Sequence, residues 1–173
     1  GYNALKSVTS GSNNTALGSE ALALNTSASN NVAVGHSALD ANTTGAQNTA
    51  VGRHTLSANT TGTSNTAIGN SVLFSNTTAS NNTGVGQDAL LQNTTGTSNV
   101  AVGSLALDAA TTADNNVAVG RSAGSAVTTG GDNVIVGTFA GEDLTTGSQN
   151  TFLGYLAGAN MVSGSNSTFI GRR

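Results

Sequence analysis

Apolar residues return along this chain with a fixed period of 17 residues. A typical unit reads GxxALxxNTTGxxNTAV, so short apolar pieces alternate with polar stretches rich in Asn, Thr and Gly. Threonine and valine suit an extended, pleated backbone, and glycine supplies the positive φ of a tight corner. A helical repeat needs two helices and about 33 residues or more. The pattern therefore predicts an all-β fold of short strands separated by corners.

The glycine that closes each unit marks the main corner. It recurs without insertion or deletion from Gly1 to Gly171, which gives ten units and three further residues. We expect each unit to form one coil of a parallel β-solenoid, a β-roll or β-helix, with equal positions stacked about 4.8 Å apart. Residues 1–173 are then a single repeat domain, ten coils over 1–170 plus the start of an eleventh, and we expect it to be part of a longer fibre. The corner residues are Gly18, Gly35, Gly52, Gly69, Gly86, Gly103, Gly120, Gly137 and Gly154.

Two columns of apolar residues, one at the fifth position of the unit and one just before the corner glycine, form most of the predicted core. A third column is alanine in most units and becomes larger near the C-terminus, where Phe152 and Phe169 join the predicted core. The fifth-position residues are Leu5, Leu22, Leu39, Leu56, Leu73, Leu90 and Leu107. The residues before the corner glycine, which we expect to be a buried ladder, include Val34, Val51, Ile68, Val102, Val119 and Val136.

The last three full units change in three columns together. The fifth-position leucine becomes Gly124, Gly141 and Gly158, while the alanine column becomes Ile135, Phe152 and Phe169, and the asparagine of NTT becomes Val127, Leu144 and Met161. Close-packed interiors tolerate volume-conserving exchanges best. We therefore expect the three columns to face a common core in which a Phe ring fills the space that Leu vacates.

An asparagine begins the NTAV piece of nearly every unit. Stacked Asn amides can hydrogen-bond along a solenoid axis, and Asn tolerates left-handed backbone, so a structural ladder is predicted. The ladder residues are Asn14, Asn31, Asn48, Asn65, Asn82, Asn99, Asn116, Asn133 and Asn150. The NTT column carries most of the N-x-S/T sequons, but its change to apolar residues predicts that it is partly buried.

The NTAV strand is apolar on both faces, with Val51 and Thr49 on one and Ala50 on the other. Such a strand fits a coil that packs inside itself and also against a neighbour. The sequence therefore predicts that several chains share a core along their axes.

The stretch NNVAVGHSALDANTTGAQNTAVG (residues 30–52) resembles the head repeats of trimeric autotransporter adhesins of the YadA type. It is similar still more closely to the NTAVG and NTFLG repeats of phage tail fibres and related bacterial surface proteins, and NTFLG itself occupies residues 150–154. The resemblance covers the whole chain. It implies an intertwined or side-by-side homotrimer at a cell surface or on a virion. The adhesin unit is shorter than 17 residues, so its coil shape need not be the same.

Composition and charge do not predict a catalytic or ligand-binding site. Net charge is −3 without a basic cluster, Cys is absent, and no run of about 18 apolar residues occurs, so neither nucleic acid, membrane, disulfide nor thiolate site is predicted. Asp40, Asp108 and Glu142 share a column but lie several coils apart, and the adjacent Glu142 and Asp143 point to opposite faces. We predict no enzymatic activity, metal or cofactor. His36 and His54 lie in adjacent coils, but two histidines without a carboxylate between them would be a weak metal site.

The position after the corner glycine varies most and should point outward. Its members Tyr2, His36, Arg53, Arg121 and Tyr155 are the candidate ligand face. The first hypothesis is a shaft segment of a trimeric extracellular or virion fibre, whose partners are itself and a receptor or glycan bound outside this stretch. The alternatives are an adhesin head that binds a surface ligand directly and an ice-binding solenoid with a Thr ladder.

Overall fold

A computed structural model describes all 173 residues and contains ten strands and no helix. The strands form one parallel sheet in chain order, each paired with the next at a register of one 17-residue unit, for example Ala33 with Ala50. The predicted parallel β-solenoid with one repeat per coil is thereby confirmed. The strands are β1 (Thr15–Leu17), β2 (Val32–Val34), β3 (Thr49–Val51), β4 (Thr66–Ile68), β5 (Thr83–Val85), β6 (Val100–Val102), β7 (Val117–Val119), β8 (Val134–Val136), β9 (Thr151–Leu153) and β10 (Thr168–Ile170).

Most of the hydrogen bonding that joins coils lies outside these short strands. Of 105 backbone hydrogen bonds, only 18 lie within the strands. In the remaining parts of the coil, Leu22 N–H donates to Ala38 O at 3.0 Å and Thr43 N–H donates to Thr60 O at 3.0 Å. The corners and turns therefore stack as regularly as the sheet does, and the whole coil is the repeating layer.

The corner glycines sit where a side chain has no room. Gly35 has a φ of 136°, and a Cβ there would lie 2.3 Å from the carbonyl oxygen of Gly52 in the next coil. The fifth-position leucines also have positive φ, 53° at Leu39, for instance. A left-handed backbone costs a non-glycine residue roughly 1–2 kcal/mol, so burial of the leucine side chain must offset that strain.

The interior of the coil is built from leucine and alanine columns. Leu22 through Leu107 of the fifth position are fully buried, and so is the middle residue of most strands, such as Ala50 in β3. Leu5 in the first coil is half-buried, and Phe169 in the last coil is exposed while its ring packs at a tilt against Phe152, 5.5 Å between ring centroids. Phe169 therefore covers Phe152 without being enclosed itself.

The column before the corner glycine is not part of this interior, so the prediction that it is a buried ladder is wrong for the single chain. Ile68, for example, is 40% exposed. Side chains of a strand alternate between faces, so the buried middle residue directs both neighbours outward. The column residues that lie half-buried or exposed on the outer side of the sheet are Val34, Val51, Ile68, Val102, Val119 and Val136.

The C-terminal exchange of leucine for glycine has a direct packing reason. A Cβ on Gly141 would lie 2.8 Å from Phe152 Cδ2, and a Cβ on Gly158 would lie 2.8 Å from Cδ1 of the same ring. Phe152 is fully buried, together with Ile135 and Leu144. The aromatic ring occupies the volume that leucines fill in earlier coils, between two glycines that also accept the left-handed backbone without strain.

Candidate functional site

Two asparagine ladders run along the inside of the coil. In the first, Asn48 Oδ1 accepts from both the backbone N–H and Nδ2 of Asn65, at 3.0 and 3.1 Å, while Asn48 Nδ2 donates to Gly62 O at 2.9 Å. Asn31 through Asn150 of this column are buried, Asn14 is half-buried, and the ladder ends with Asn150 Oδ1 accepting from Ser167 N–H. The hydrogen-bonding groups of these side chains are used within the fold and are not available to a ligand.

The NTT asparagines form the second ladder. Asn59 Nδ2 donates to Asn42 Oδ1 at 2.9 Å and to Gly62 O at 3.0 Å, so Gly62 O joins both ladders. The five members are fully buried, which removes their sequons from the surface: Asn25, Asn42, Asn59, Asn76 and Asn93. The sequon residues Asn13, Asn81 and Asn166 are exposed at another turn of the coil.

The two threonines of NTT differ in exposure. Thr43 is half-buried, and its Oγ1 donates to Thr60 O in the next coil at 3.0 Å. Thr44 is exposed, as is every Ser or Thr at its position along the stack. One row of hydroxyl side chains therefore faces solvent beside a row whose hydroxyls are bonded to the backbone.

The outer side of the sheet is uncharged along its whole length, and one of its two columns is aliphatic in every strand. Two columns lie on it: the first strand residue, which is Thr or Val, and the third, which is Val, Leu or Ile. Val134 is 43% exposed in the first column, and Leu153 is 47% exposed in the second. No strand contains a charged residue. We call these two columns the outer sheet face.

The residues after the corner glycine lie on the surface, in the place assigned to them as a ligand face. Tyr2, His36, Arg53, Arg121 and Tyr155 are all exposed. The His36 and His54 rings meet edge to face with centroids 5.2 Å apart, and His54 meets Phe74 at 6.2 Å. No group of three or more His, Cys, Asp or Glu side chains is arranged to hold a metal ion.

A second cluster near the C-terminus combines arginine with aromatic rings. The Arg121 guanidinium lies 4.1 Å from the Phe139 ring centroid, Phe139 meets Tyr155 at 6.4 Å, and the Arg172 guanidinium lies 5.5 Å from the Tyr155 ring. Phe139 and Arg172 were not among the predicted ligand-face residues. Arg172 follows Gly171 in that same column, so it could have been found, whereas Phe139 lies one position further on.

The carboxylates are dispersed, as their spacing indicated. Asp40 Oδ1 accepts from Ser57 Oγ at 2.7 Å, and Glu20 Oε2 from Ser37 Oγ at 3.4 Å. Burial raises the pKa of the Asp108 carboxyl, with a smaller contribution from the negative charge of Asp88, and the Asp108 Oδ1 atom has no hydrogen-bond partner.

The one cavity lies at the C-terminal end of the stack. It encloses about 570 Å³ between Met161, Phe169 and Arg172, where the last coil leaves its interior side chains uncovered. This cavity is the open end of the last coil. It lacks the converging polar groups that typically line a ligand-binding pocket. The chain contains no helix that could cross a bilayer. No protein-family model, curated protein or solved structure matches this chain.

Proposed function

We propose that this chain is a shaft segment of an extracellular or virion fibre, of the phage tail-fibre or bacterial surface-adhesin kind, that displays a receptor-binding tip. In this proposal the fibre is a homotrimer whose chains pack through their outer sheet faces. The observation that carries the proposal is the uncharged outer sheet face, in which one column is Val, Leu or Ile in all ten strands and the other is Thr or Val.

The size of that face supports an interaction. Ten coils at one strand spacing give a strip about 48 Å long, and two columns on one side of a strand lie about 7 Å apart. A strip of roughly 300 Å² is comparable to the largest apolar patch of a typical monomer, and such patches often bind another molecule. A specific interface needs about 800 Å² per partner, so neighbouring columns would also have to take part.

A second copy fits the strip better than an unrelated partner does. Every coil presents the same two columns at the same spacing, so two parallel chains in phase would match at every layer. The resemblance to tail fibres and trimeric adhesins supplies the number three.

The test is the native mass of the folded chain, measured by light scattering after gel filtration. We expect about three times the 16.8 kDa chain mass. Introducing Val51→Lys and Val102→Lys on the outer sheet face should reduce the mass to that of one chain, because lysine places charges in an interface without counter-charges.

The matched control is Thr44→Lys with Thr95→Lys, which adds the same charges in the same coils on the exposed hydroxyl row. The control should keep the oligomer. A wild-type chain that is folded and monomeric at all accessible concentrations contradicts the proposal.

An adhesin head that binds its ligand directly is the second candidate, favoured by the exposed side chains that follow the corner glycines. Alanine at Tyr2, Arg53 or Tyr155 should then abolish attachment to the target surface and leave the native mass unchanged. In a shaft, the same variants should attach as the wild type does.

Ice binding is the third candidate, favoured by the exposed hydroxyl row that includes Thr44, Thr61 and Thr78. These residues repeat at about one strand spacing on a regular scaffold. A thermal-hysteresis measurement decides it: freezing-point depression that Thr61→Lys removes would support ice binding, and its absence in the wild type would exclude it.

A further inference from the structure

Arg121, Phe139, Tyr155 and Arg172 form a continuous surface row that we call the aromatic–arginine strip. They come from four successive coils, and each side chain contacts the next, through distances of 4.1, 6.4 and 5.5 Å. Tyr155 is 44% exposed, and both arginines are exposed. The strip thus runs along the solenoid axis and opens to solvent.

The arginines keep their hydrogen-bonding capacity. Each guanidinium is held against a ring by a cation–π contact, and neither makes a hydrogen bond or an ion pair within the chain. A guanidinium carries five donors in its plane and binds a carboxylate in a bidentate manner. The cation–π contact restricts the guanidinium before a ligand arrives, so less side-chain entropy is lost on binding.

The aromatic rings supply a different contact. Tyr155 is exposed and Phe139 is half-buried, so part of each ring stays uncovered by the arginines. This ring surface is apolar and carries partial negative charge on its face, which suits the polarised C–H groups of a sugar ring. A ligand that satisfies the whole strip has carboxylates at its two ends and C–H surface between them. We propose that the aromatic–arginine strip binds a linear anionic polysaccharide, of the uronic-acid class, lying along the axis.

The charge spacing argues against nucleic acid. Arg121 and Arg172 are three coils apart, or about 14 Å at one strand spacing per coil, whereas duplex DNA carries one charge per about 1.7 Å of its axis. The strip therefore meets few phosphates, and the chain as a whole has a net charge of −3. Sparse cations separated by aromatic rings match a polymer whose charges alternate with uncharged ring surface.

The test is affinity electrophoresis of the wild-type chain in native gels that contain polygalacturonate, with dextran gels as the neutral comparison. We expect retardation by polygalacturonate alone. Arg121→Ala and Tyr155→Ala should each weaken the apparent affinity about tenfold, because each removes a charge-assisted or stacking contact. Tyr155→Phe should bind as the wild type does, since it keeps the ring.

Lys6→Ala is the control, since Lys6 is an exposed cation in the first coil, outside the strip, and its removal changes the net charge by the same amount. It should bind polygalacturonate as the wild type does. The proposal is overturned by absence of retardation, by equal losses in Lys6→Ala and Arg121→Ala, by unchanged binding in Tyr155→Ala, or by equally tight binding of an oligo-dT strand. Light scattering on the same samples tests self-association separately, so failure of one proposal is not failure of the other.

Discussion

Asn93 and Ala110 occupy the same position in successive coils, and Asn93 Oδ1 is buried without a hydrogen-bond partner because Ala110 has no amide to offer it. Between the five asparagines of this ladder, from Asn25 to Asn93, each Nδ2 donates to the Oδ1 of the asparagine in the preceding coil. The shortest of these four bonds joins Asn76 to Asn59 at 2.8 Å. The second asparagine ladder therefore ends at a mismatch, after which the column becomes Val127 and Leu144.

This mismatch predicts that asparagines of one ladder contribute unequally to stability. Asn59→Ala removes two bonds made by its own amide and leaves Asn42 Oδ1 and one N–H of Asn76 without partners. We expect a loss of about 2–4 kcal/mol of unfolding free energy, since buried polar groups left unpaired are costly. Asn93→Ala should cost at least about 1 kcal/mol less, because it also removes an unpaired oxygen.

Denaturant unfolding of the two variants, with the wild type alongside, measures that difference. Both substitutions replace a fully buried asparagine by alanine, so the change in volume is matched. Equal losses in the two variants would show that the ladder bonds do not control stability at this column.

Phe152 and Gly141 give a prediction about coupling. Gly141→Leu should destabilise the chain strongly, because its Cβ alone would lie 2.8 Å from the Phe152 ring. Phe152→Ala should cost about 3–5 kcal/mol through the cavity that it leaves. The double variant should lose less than the sum of the two, since the leucine then enters the emptied space as it does in earlier coils. Thermal unfolding of the four proteins measures the coupling, and strictly additive losses would contradict it.

Asp108 predicts a dependence of stability on pH. Burial, and secondarily the charge of Asp88, raises its pKa above the ordinary value of 3.8, so the native chain binds this proton more tightly than the unfolded chain does. The resulting stabilisation is complete below the unfolded pKa and is lost as pH rises through the folded pKa. Asp108→Asn should therefore unfold at higher temperature than the wild type at neutral pH, with the difference vanishing in acid.

Asp132→Asn, which removes an exposed carboxylate from a turn, controls for the change in net charge. The gain of Asp108→Asn at neutral pH must exceed that of the control. A stability difference that stays constant from neutral pH to acid would mean that the Asp108 charge is not the cause.

The period of the repeat predicted the fold because every coil obeys the same local rules, and the glycine corners and β-branched strands agree with each other. The facing of the columns was harder to predict. Val51 and Ala50 point to opposite faces of the strand, and both are apolar, so residue type alone does not predict which of them faces the interior. Alanine faces the interior because the fifth-position leucine already fills the coil. The same compensation explains Gly84, where an added Cβ would lie 2.4 Å from Val72 Cγ1, and the sequence pattern did not predict this pair.

The surface was predicted only in part, because contacts between coils depend on side-chain reach. The outward column identified Arg121 and Tyr155, but the ring between them, Phe139, belongs to the next position of the unit. Side chains from two positions of the unit meet at the corner only when the coils are stacked. Comparing residues at one position of the repeat does not reveal such contacts.

The corner glycines provide the last prediction. Gly35→Ala combines an unfavourable φ of 136° with a Cβ only 2.3 Å from Gly52 O, so the coils would have to separate. Gly171→Ala shares the unfavourable backbone, at a φ of 116°, but its Cβ would meet nothing within 4 Å. We expect Gly171→Ala to lose about 1–2 kcal/mol from backbone strain alone. Gly35→Ala should lose several times more, and measured midpoints of thermal unfolding that are equal in the two variants would show that corner strain, not stacking distance, selects glycine.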